Sequence, residues 1–280
     1  MSARPIRASA TVLLLRDGAA GLEVYMVRRV LRSDFMGGAY VFPGGAVDPE
    51  DGEPAMCDRL HGRDASSWAI RLNLPADQAG AHVVAAVRET FEEAGILLSR
   101  QARADAPPPG ETSDARSRTR WQAHRRALLA RQTSWREVVV AEDWRFDANA
   151  LAYFAHWITP VGVPKRFSTR FFVALAPSDQ VPLTDDQEVE AGVWITPQAA
   201  IAAREAGTMT IVLPTHRALQ ALSAFDTAEA VLRAYADRPV PTILPRIVAR
   251  EGQVVSLLPG DPGYEEAADE PLPEFDPSVL

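Results

Sequence analysis

Residues 81–96, AHVVAAVRETFEEAGI, constrain this chain more than any other stretch. At about 100° per residue, Val83, Val84, Val87 and Phe91 fall within one arc roughly 100° wide. Glu92, Glu89 and Glu93 lie on the other side, at about 80°, 140° and 180° from Val84. Gly95 stands where a C′ glycine ends a helix. The spacing predicts a helix over 81–94 with an apolar stripe for a core and three carboxylates on one patch, because positions three and four apart share a face. Like charges at that spacing cost roughly 0.2–0.5 kcal/mol per pair. A bound divalent cation offsets this, since hard cations such as Mg²⁺ take oxygen ligands. A solvated acidic face without a ligand is the alternative.

The surrounding chain reads as α/β. Residues 8–28 alternate like a hairpin with its turn at Asp17 and Gly18. A Gly-rich stretch, 33–48, encloses a short apolar strand at 40–42. Residues 49–80 are polar and broken by Pro49, Pro54 and Pro75, an insertion with a short helix near 66–72. Residues 103–118 carry the composition of a mobile loop, and 119–142 read as one amphipathic helix. Strands are expected at 153–159, 166–173 and 188–195, and helices at 197–206 and 215–236. The last segment, 261–280, is acidic and Pro-rich, a surface wrap or a disordered tail.

Composition narrows the function. Among 280 residues, 29 are basic and 37 acidic, a net charge of −8. That argues against non-specific nucleic-acid or anionic-membrane binding, but not against an anionic small molecule met through a local cation. Cys57 is alone, which excludes an internal disulfide and a Cys-rich zinc site. The apolar run 8–15 after Arg4 and Arg7 imitates a signal peptide, yet Arg16, Asp17 and Gly18 end it. No apolar run approaches the roughly 18 residues needed to cross a bilayer. A cytoplasmic protein is expected. The tryptophans at 121, 135, 144, 157 and 194 are scattered, and the histidines lack metal-ligand spacing; both sets read as packing or surface residues.

Taken in order, Phe42-Pro43-Gly44-Gly45, an insertion, then Arg88-Glu89-Thr90-Phe91-Glu92-Glu93-Ala94-Gly95-Ile96 resembles the Nudix hydrolase signature, G-x5-E-x7-REUxEExGU, with U a bulky apolar residue. Arg88, Glu89, Glu92, Glu93, Gly95 and Ile96 match; Thr90 occupies a U position. The first half departs. Between Gly45 and Arg88 lie 42 residues, an excess of 29 over the signature, so the outer carboxylate is Asp51 or Glu53. A box split in this way, with GAYVFPGGAVD at 38–48, AHWITP at 155–160 and PKRFSTRFFV at 164–173, is similar to the acyl-coenzyme A diphosphatase branch of that superfamily, the nucleoside diphosphate-linked moiety X motif 19 type.

The resemblance implies an α/β/α sandwich with a mixed sheet and helical insertions: one domain over 1–263, with insertions at about 49–80 and 100–150, and a tail at 264–280. It implies hydrolysis of a diphosphate in a nucleoside diphosphate linked to another moiety, with coenzyme A or acyl-coenzyme A first and ADP-ribose or a related derivative second. A non-catalytic nucleotide-sensing module is the remaining alternative. Glu89, Glu92 and Glu93, with the Gly45 carbonyl, would hold Mg²⁺ or Mn²⁺, and Arg88 would hold a box carboxylate in place. Glu188, six residues before Trp194, is the expected further ligand or general base, in competition with Glu89. Gly44 would let backbone approach the substrate. Arg166 and Arg170, four apart on a strand and so on one face, are candidates for phosphate oxygens. A homodimer is compatible with the family.

Overall fold

The computed structural model of the chain describes residues 5–31, 36–101, 115–183, 189–268 and 270–275. Strands β1 (Arg7–Gly18) and β2 (Gly21–Arg29) form the expected hairpin. Its turn falls at Ala19 and Ala20, beyond Asp17 and Gly18, because Gly18 still pairs with Gly21. The Gly-rich loop contributes two short strands, β3 (Tyr40–Val41) against β2 and β4 (Gly44–Ala46) against β1.

The insertion at 49–80 is more ordered than its composition suggests. It holds a 3₁₀ turn (Pro49–Gly52) and α1 (Pro54–Cys57). Two residues, β5 (Leu60–His61), add a parallel pairing further on, and α2 (Ala65–Leu72) follows, capped by the Asp64 carboxylate on the Ser67 N–H. The acidic helix, α3 (Ala76–Ala94), begins five residues earlier than the apolar stripe suggested, directly after Pro75. It ends as expected at Gly95, left-handed with φ of 68°, a conformation that favours glycine.

Beyond β6 (Ser99–Gln101), the segment read as one helix is two: α4 (Ala115–Leu129) and α5 (Trp135–Ala141). Ser134 and Glu137 close α5 with a reciprocal capping box, which starts a new helix there. Strand β7 (Trp144–Asp147) pairs with β5 and β6 in a small separate sheet. The main sheet resumes with β8 (Leu151–Ile158), β9 (Phe167–Leu175) and β10 (Val189–Ile195). Then come α6 (Pro197–Glu205), α7 (Leu213–Leu222) and α8 (Ala228–Tyr235). The helix expected at 215–236 is thus broken, and Thr227 caps the second piece through the Ala230 N–H. Short β11 (Thr242–Ile243) closes the sheet edge, and β12 (Arg246–Arg250) and β13 (Gln253–Leu257) form a hairpin of their own.

The main sheet runs β10-β2-β1-β9-β8-β11. It is mixed: β1 and β9 are parallel, while β1 and β2, β8 and β9, and β10 and β2 are antiparallel. Alternation along β1 sorts the core into two layers. Ala10, Val12 and Leu14 pack with Val83, Val84 and Val87 of α3; Leu13 and Leu15 pack with Ala218 and Leu222 of α7 and Val231 of α8. The sequence expectation of an α/β/α sandwich is met. Phe91 belongs to the same core cluster and also meets the rings of Trp135 and Trp144 at 5.6 and 5.4 Å. Side chains of α5 and β7 therefore cover a second side of α3, and the helix is buried along most of its length. Among the described residues no helix is long and apolar enough to cross a membrane.

Candidate active site

Strand β4 and the last two turns of α3 place the acidic residues. The β1–β4 register sets Gly44 and Gly45 against Thr11 and Ala10. A Cβ on Gly44 would lie 2.4 Å from Thr11 Oγ1, and one on Gly45 would lie 2.5 Å from Glu89 Oε1. Glycine at these positions lets the strand backbone meet the helix carboxylates directly. The Gly44 N–H donates to Glu93 Oε2 at 2.9 Å. That contact revises the expectation for Gly44: its N–H is committed to Glu93 rather than to a substrate.

Arg88 organises the other carboxylates. Its Nε and Nη2 each donate at 3.0 Å to the two oxygens of Asp51, a bidentate pair. Its Nη1 donates to Glu89 at 2.8 Å and to Glu92 at 3.3 Å, and its Nη2 also reaches the Ala46 carbonyl at 2.8 Å. Asp51 is 1% exposed and also accepts the Asp48 N–H at 2.8 Å. Glu53, the other possible outer carboxylate, stays half-exposed with its carboxylate 3.5 Å from Arg136. Asp51 is the one that joins the ring.

Burial raises the Glu89 pKa well above the usual carboxylate range; Arg88 opposes the shift, and Glu93 and Glu92 reinforce it. Burial raises Asp51 as well, again against Arg88. Arg88 keeps its proton, because its carboxylate neighbours outweigh the cost of burying it. Four carboxyl groups share a single guanidinium, so burial and mutual repulsion make them resist full ionisation until further positive charge arrives. The ring's donors are hard oxygens, the chemistry that suits a divalent cation. Among the described residues no three such groups converge on one point as a finished cage: Arg88 and the Gly44 N–H hold oxygens that a cation would share. Nudix hydrolases generally use divalent metals.

The ring forms one wall of a cleft of about 610 Å³. Asp48, Glu50, Asp51 and Arg88 line it with the three glutamates; the facing wall is the insertion, including Leu128, Arg131, Ser134 and Trp135. Sequence periodicity missed this wall. The S-x-x-E pattern at Ser134 and Glu137 was a signal for a separate helix start there, though not for what that helix faces.

Two other expectations fare differently. Arg170 lies in β9 and Arg166 just before it, and neither is placed at the acidic ring. Arg170, 6% exposed, lies under α3 with its Nη1 3.3 Å from His82 Nε2 and its Nη2 donating to the Leu72 carbonyl. His82 and Glu92 are ten residues apart on α3, about 15 Å along the helix. Arg166 donates to the Thr159 carbonyl at 2.9 Å. Neither lines the acidic cleft: β9 and β4 flank opposite edges of β1 at Ala10, so Gly45 meets Glu89 while Arg170, on the far side, meets His82 in the first half of α3. Glu188 lies outside the described residues. The tryptophans pack: Trp121, Trp135, Trp144 and Trp157 are buried, and Trp194 is sandwiched by Tyr25 and Arg16.

A mixed sheet flanked by helices, with a glutamate-rich helix closing on a Gly-Gly strand, defines the Nudix class of fold. A solved NUDIX hydrolase from Alicyclobacillus acidocaldarius superposes with a TM-score of 0.66 at 30% identity, over 83% of this chain and 97% of that one. The family model described as NUDT19 Nudix domain matches residues 62–221, more than half of the chain, and the chain belongs to that family. The acyl-coenzyme A diphosphatase NUDT19 of Gallus gallus is 27% identical over 90% of this chain and 75% of its own length. The human protein of the same name is also 27% identical, over 90% and 74%. A putative nudix hydrolase 7 of Caenorhabditis elegans is 27% identical over 89% and 73%.

Proposed function

We propose that this chain is a metal-dependent diphosphatase that cleaves coenzyme A or acyl-coenzyme A to 3′,5′-ADP and a phosphopantetheine product. The observation that carries it is the ring of Glu89, Glu92 and Glu93 on Gly44, Gly45 and Arg88 at the wall of a cleft of about 610 Å³, a volume in the range of small-molecule sites. The substrate follows the curated relatives.

Glu89, Glu92 and Glu93, with the Gly45 carbonyl, would hold Mg²⁺ or Mn²⁺. Such a cation supplies positive charge to the phosphate oxygens and polarises the attacking water. Arg88 keeps Glu89 and Glu92 in register while anchored on Asp51. Glu89, packed on Gly45, is the carboxylate assigned to take the water proton, and Glu188 is assigned as a further ligand. Across the cleft, Arg131 takes the phosphate-binding part first considered for Arg166 and Arg170. Its position in the lining brings a cation to an otherwise carboxylate-rich site. Cytoplasmic location belongs to the same proposal.

The test is a panel of coenzyme A, acyl-coenzyme A, ADP-ribose, NADH and dinucleoside polyphosphates, with Mg²⁺ or Mn²⁺ and product identification. Coenzyme A or its acyl form should rank first, and Glu92→Gln should abolish turnover while leaving nucleotide binding. Preferred turnover of ADP-ribose moves the chain to another substrate class. No turnover by wild type across the panel, with binding retained, refutes the enzyme.

A further inference from the structure

The last turn of α3 carries both Glu92 and Glu93, and helix ends are where backbone ordinarily frays, because the final four carbonyls have no partner within the helix. Here all four are held. Arg125, on α4, donates from Nε to the carbonyls of Phe91 at 3.1 Å and Glu92 at 2.8 Å, and from Nη2 to that of Glu93 at 3.2 Å. The fourth, Ala94, accepts the Leu183 N–H at 2.8 Å, and the Gly95 N–H adds a second bond to Phe91 at 3.0 Å. Arg125 is 6% exposed. A guanidinium fits this place for two reasons. Its positive charge meets the negative end of the helix macrodipole, and its planar fork reaches several carbonyls at once with little freedom left to lose.

The residues whose carbonyls are held are those whose side chains form the ring. Rotation or fraying of that turn would carry the Glu92 and Glu93 carboxylates away from Arg88 and from the Gly44 N–H. The helix bearing Arg125 is itself fixed, since Trp121 packs edge-on against Trp144 at 6.1 Å and Trp144 against Phe91 at 5.4 Å. Leu128 and Leu129, one turn further along α4, line the same cleft. The insertion is thus fastened to the acidic helix at its catalytic end.

We infer that Arg125 is a positioning residue for the cation site: through the carbonyls of Phe91, Glu92 and Glu93 it sets where the Glu92 and Glu93 carboxylates stand. This rests on the functional proposal above, in that the ring must hold a cation. A residue that touches no substrate then tunes metal affinity and kcat.

The experiment compares wild type, Arg125→Met and Arg125→Lys. Mn²⁺ binding is followed by electron paramagnetic resonance without substrate, amide hydrogen exchange over residues 92–98 by mass spectrometry, and kcat and KM at saturating Mn²⁺. Arg125→Met should weaken Mn²⁺ binding about 10-fold or more, lower kcat by a similar factor and leave KM within about 2-fold, while exchange rises at 92–98. Arg125→Lys, which keeps the charge and loses the fork, should fall between the two. If Arg125→Met fails to fold, Arg125→Lys decides alone, by at least a 3-fold loss in Mn²⁺ affinity. Faster exchange with unchanged Mn²⁺ affinity and kcat would make Arg125 a helix cap and nothing more, and overturns the inference alone. A wild-type protein that binds no Mn²⁺ overturns the functional proposal and this inference together.

Discussion

Replacing Asp51 by Asn tests how the ring is held together. Asp51 Oδ1 accepts Arg88 Nε, and Oδ2 accepts both Arg88 Nη2 and the Asp48 N–H. An asparagine of the same shape keeps one acceptor. Its NH₂ must face a donor in either orientation, inside a site where Asp51 is 1% exposed. Removing one partner of a buried ion pair costs about 3–5 kcal/mol. The lower end applies, because Arg88 keeps Glu89, Glu92 and the Ala46 carbonyl. Unfolding entropy of ~2.1 cal/mol/K per residue gives about 0.6 kcal/mol per degree for a chain this long, so a loss of about 3 kcal/mol lowers Tm by about 5 °C. Glu53→Gln is the control. Its carboxylate is half-exposed and 3.5 Å from Arg136, a surface contact worth under about 0.5 kcal/mol after screening. Differential scanning calorimetry should show a drop of about 5 °C for Asp51→Asn and under about 1 °C for Glu53→Gln. kcat should fall about 10-fold in Asp51→Asn, because Arg88 no longer holds Glu89 and Glu92 in register. Equal shifts in the two variants would refute the assignment of Asp51 to the ring.

Two further perturbations reach other parts of the molecule. Burial, with repulsion from Arg170, lowers the pKa values of His82 and His156 from the ordinary 6.5 to about 4. Depressed histidines contribute stability that is present above pH 6.5 and lost as pH falls toward 4; for His82 the full effect is about 3 kcal/mol. Between pH 7 and pH 4.5 the urea midpoint of His82→Gln should fall less, or rise more, than that of wild type; an unchanged slope in that variant would count against a neutral buried His82. The raised Glu89 and Asp51 act in the opposite sense, so the variant rather than the bare profile isolates the histidine. At the cleft, Arg131→Ala should raise KM for coenzyme A about 10-fold, the equivalent of ~1.4 kcal/mol, with kcat within about 3-fold. Unchanged KM in steady-state kinetics would remove Arg131 from the substrate contact.

What the sequence made legible followed from periodicity and from local stop signals. The α3 stripe, the Gly95 stop and the three glutamates came through because each depends on positions within a few residues of one another. Alternation similarly exposed β1, β2, β8 and β9. Composition concealed the order within 49–80, where capping by Asp64 and burial of Trp68 and Met56 build structure from a Pro-broken stretch. The two-residue strands β5 and β11 are too short to carry a period at all.

The site divides along the same line. That Glu89, Glu92 and Glu93 share a helix face is a one-dimensional fact; that Gly45 lies under Glu89, and Asp51 rather than Glu53 under Arg88, needs the β1–β4 register and the 3₁₀ turn. Arg170 shows the converse failure. Parity along β9 assigns Arg170 a face and no distance along the helix that covers it, and Arg170 lies beside His82, away from the acidic end. Periodicity tells which way a side chain points and not how far along the neighbour it lands. For a cleft built where a helix end meets an insertion, that distance decides function: Arg125 and Arg131, six positions apart on and just beyond α4, reach the acidic helix and its cleft because α4 crosses the end of α3 that carries Glu92 and Glu93.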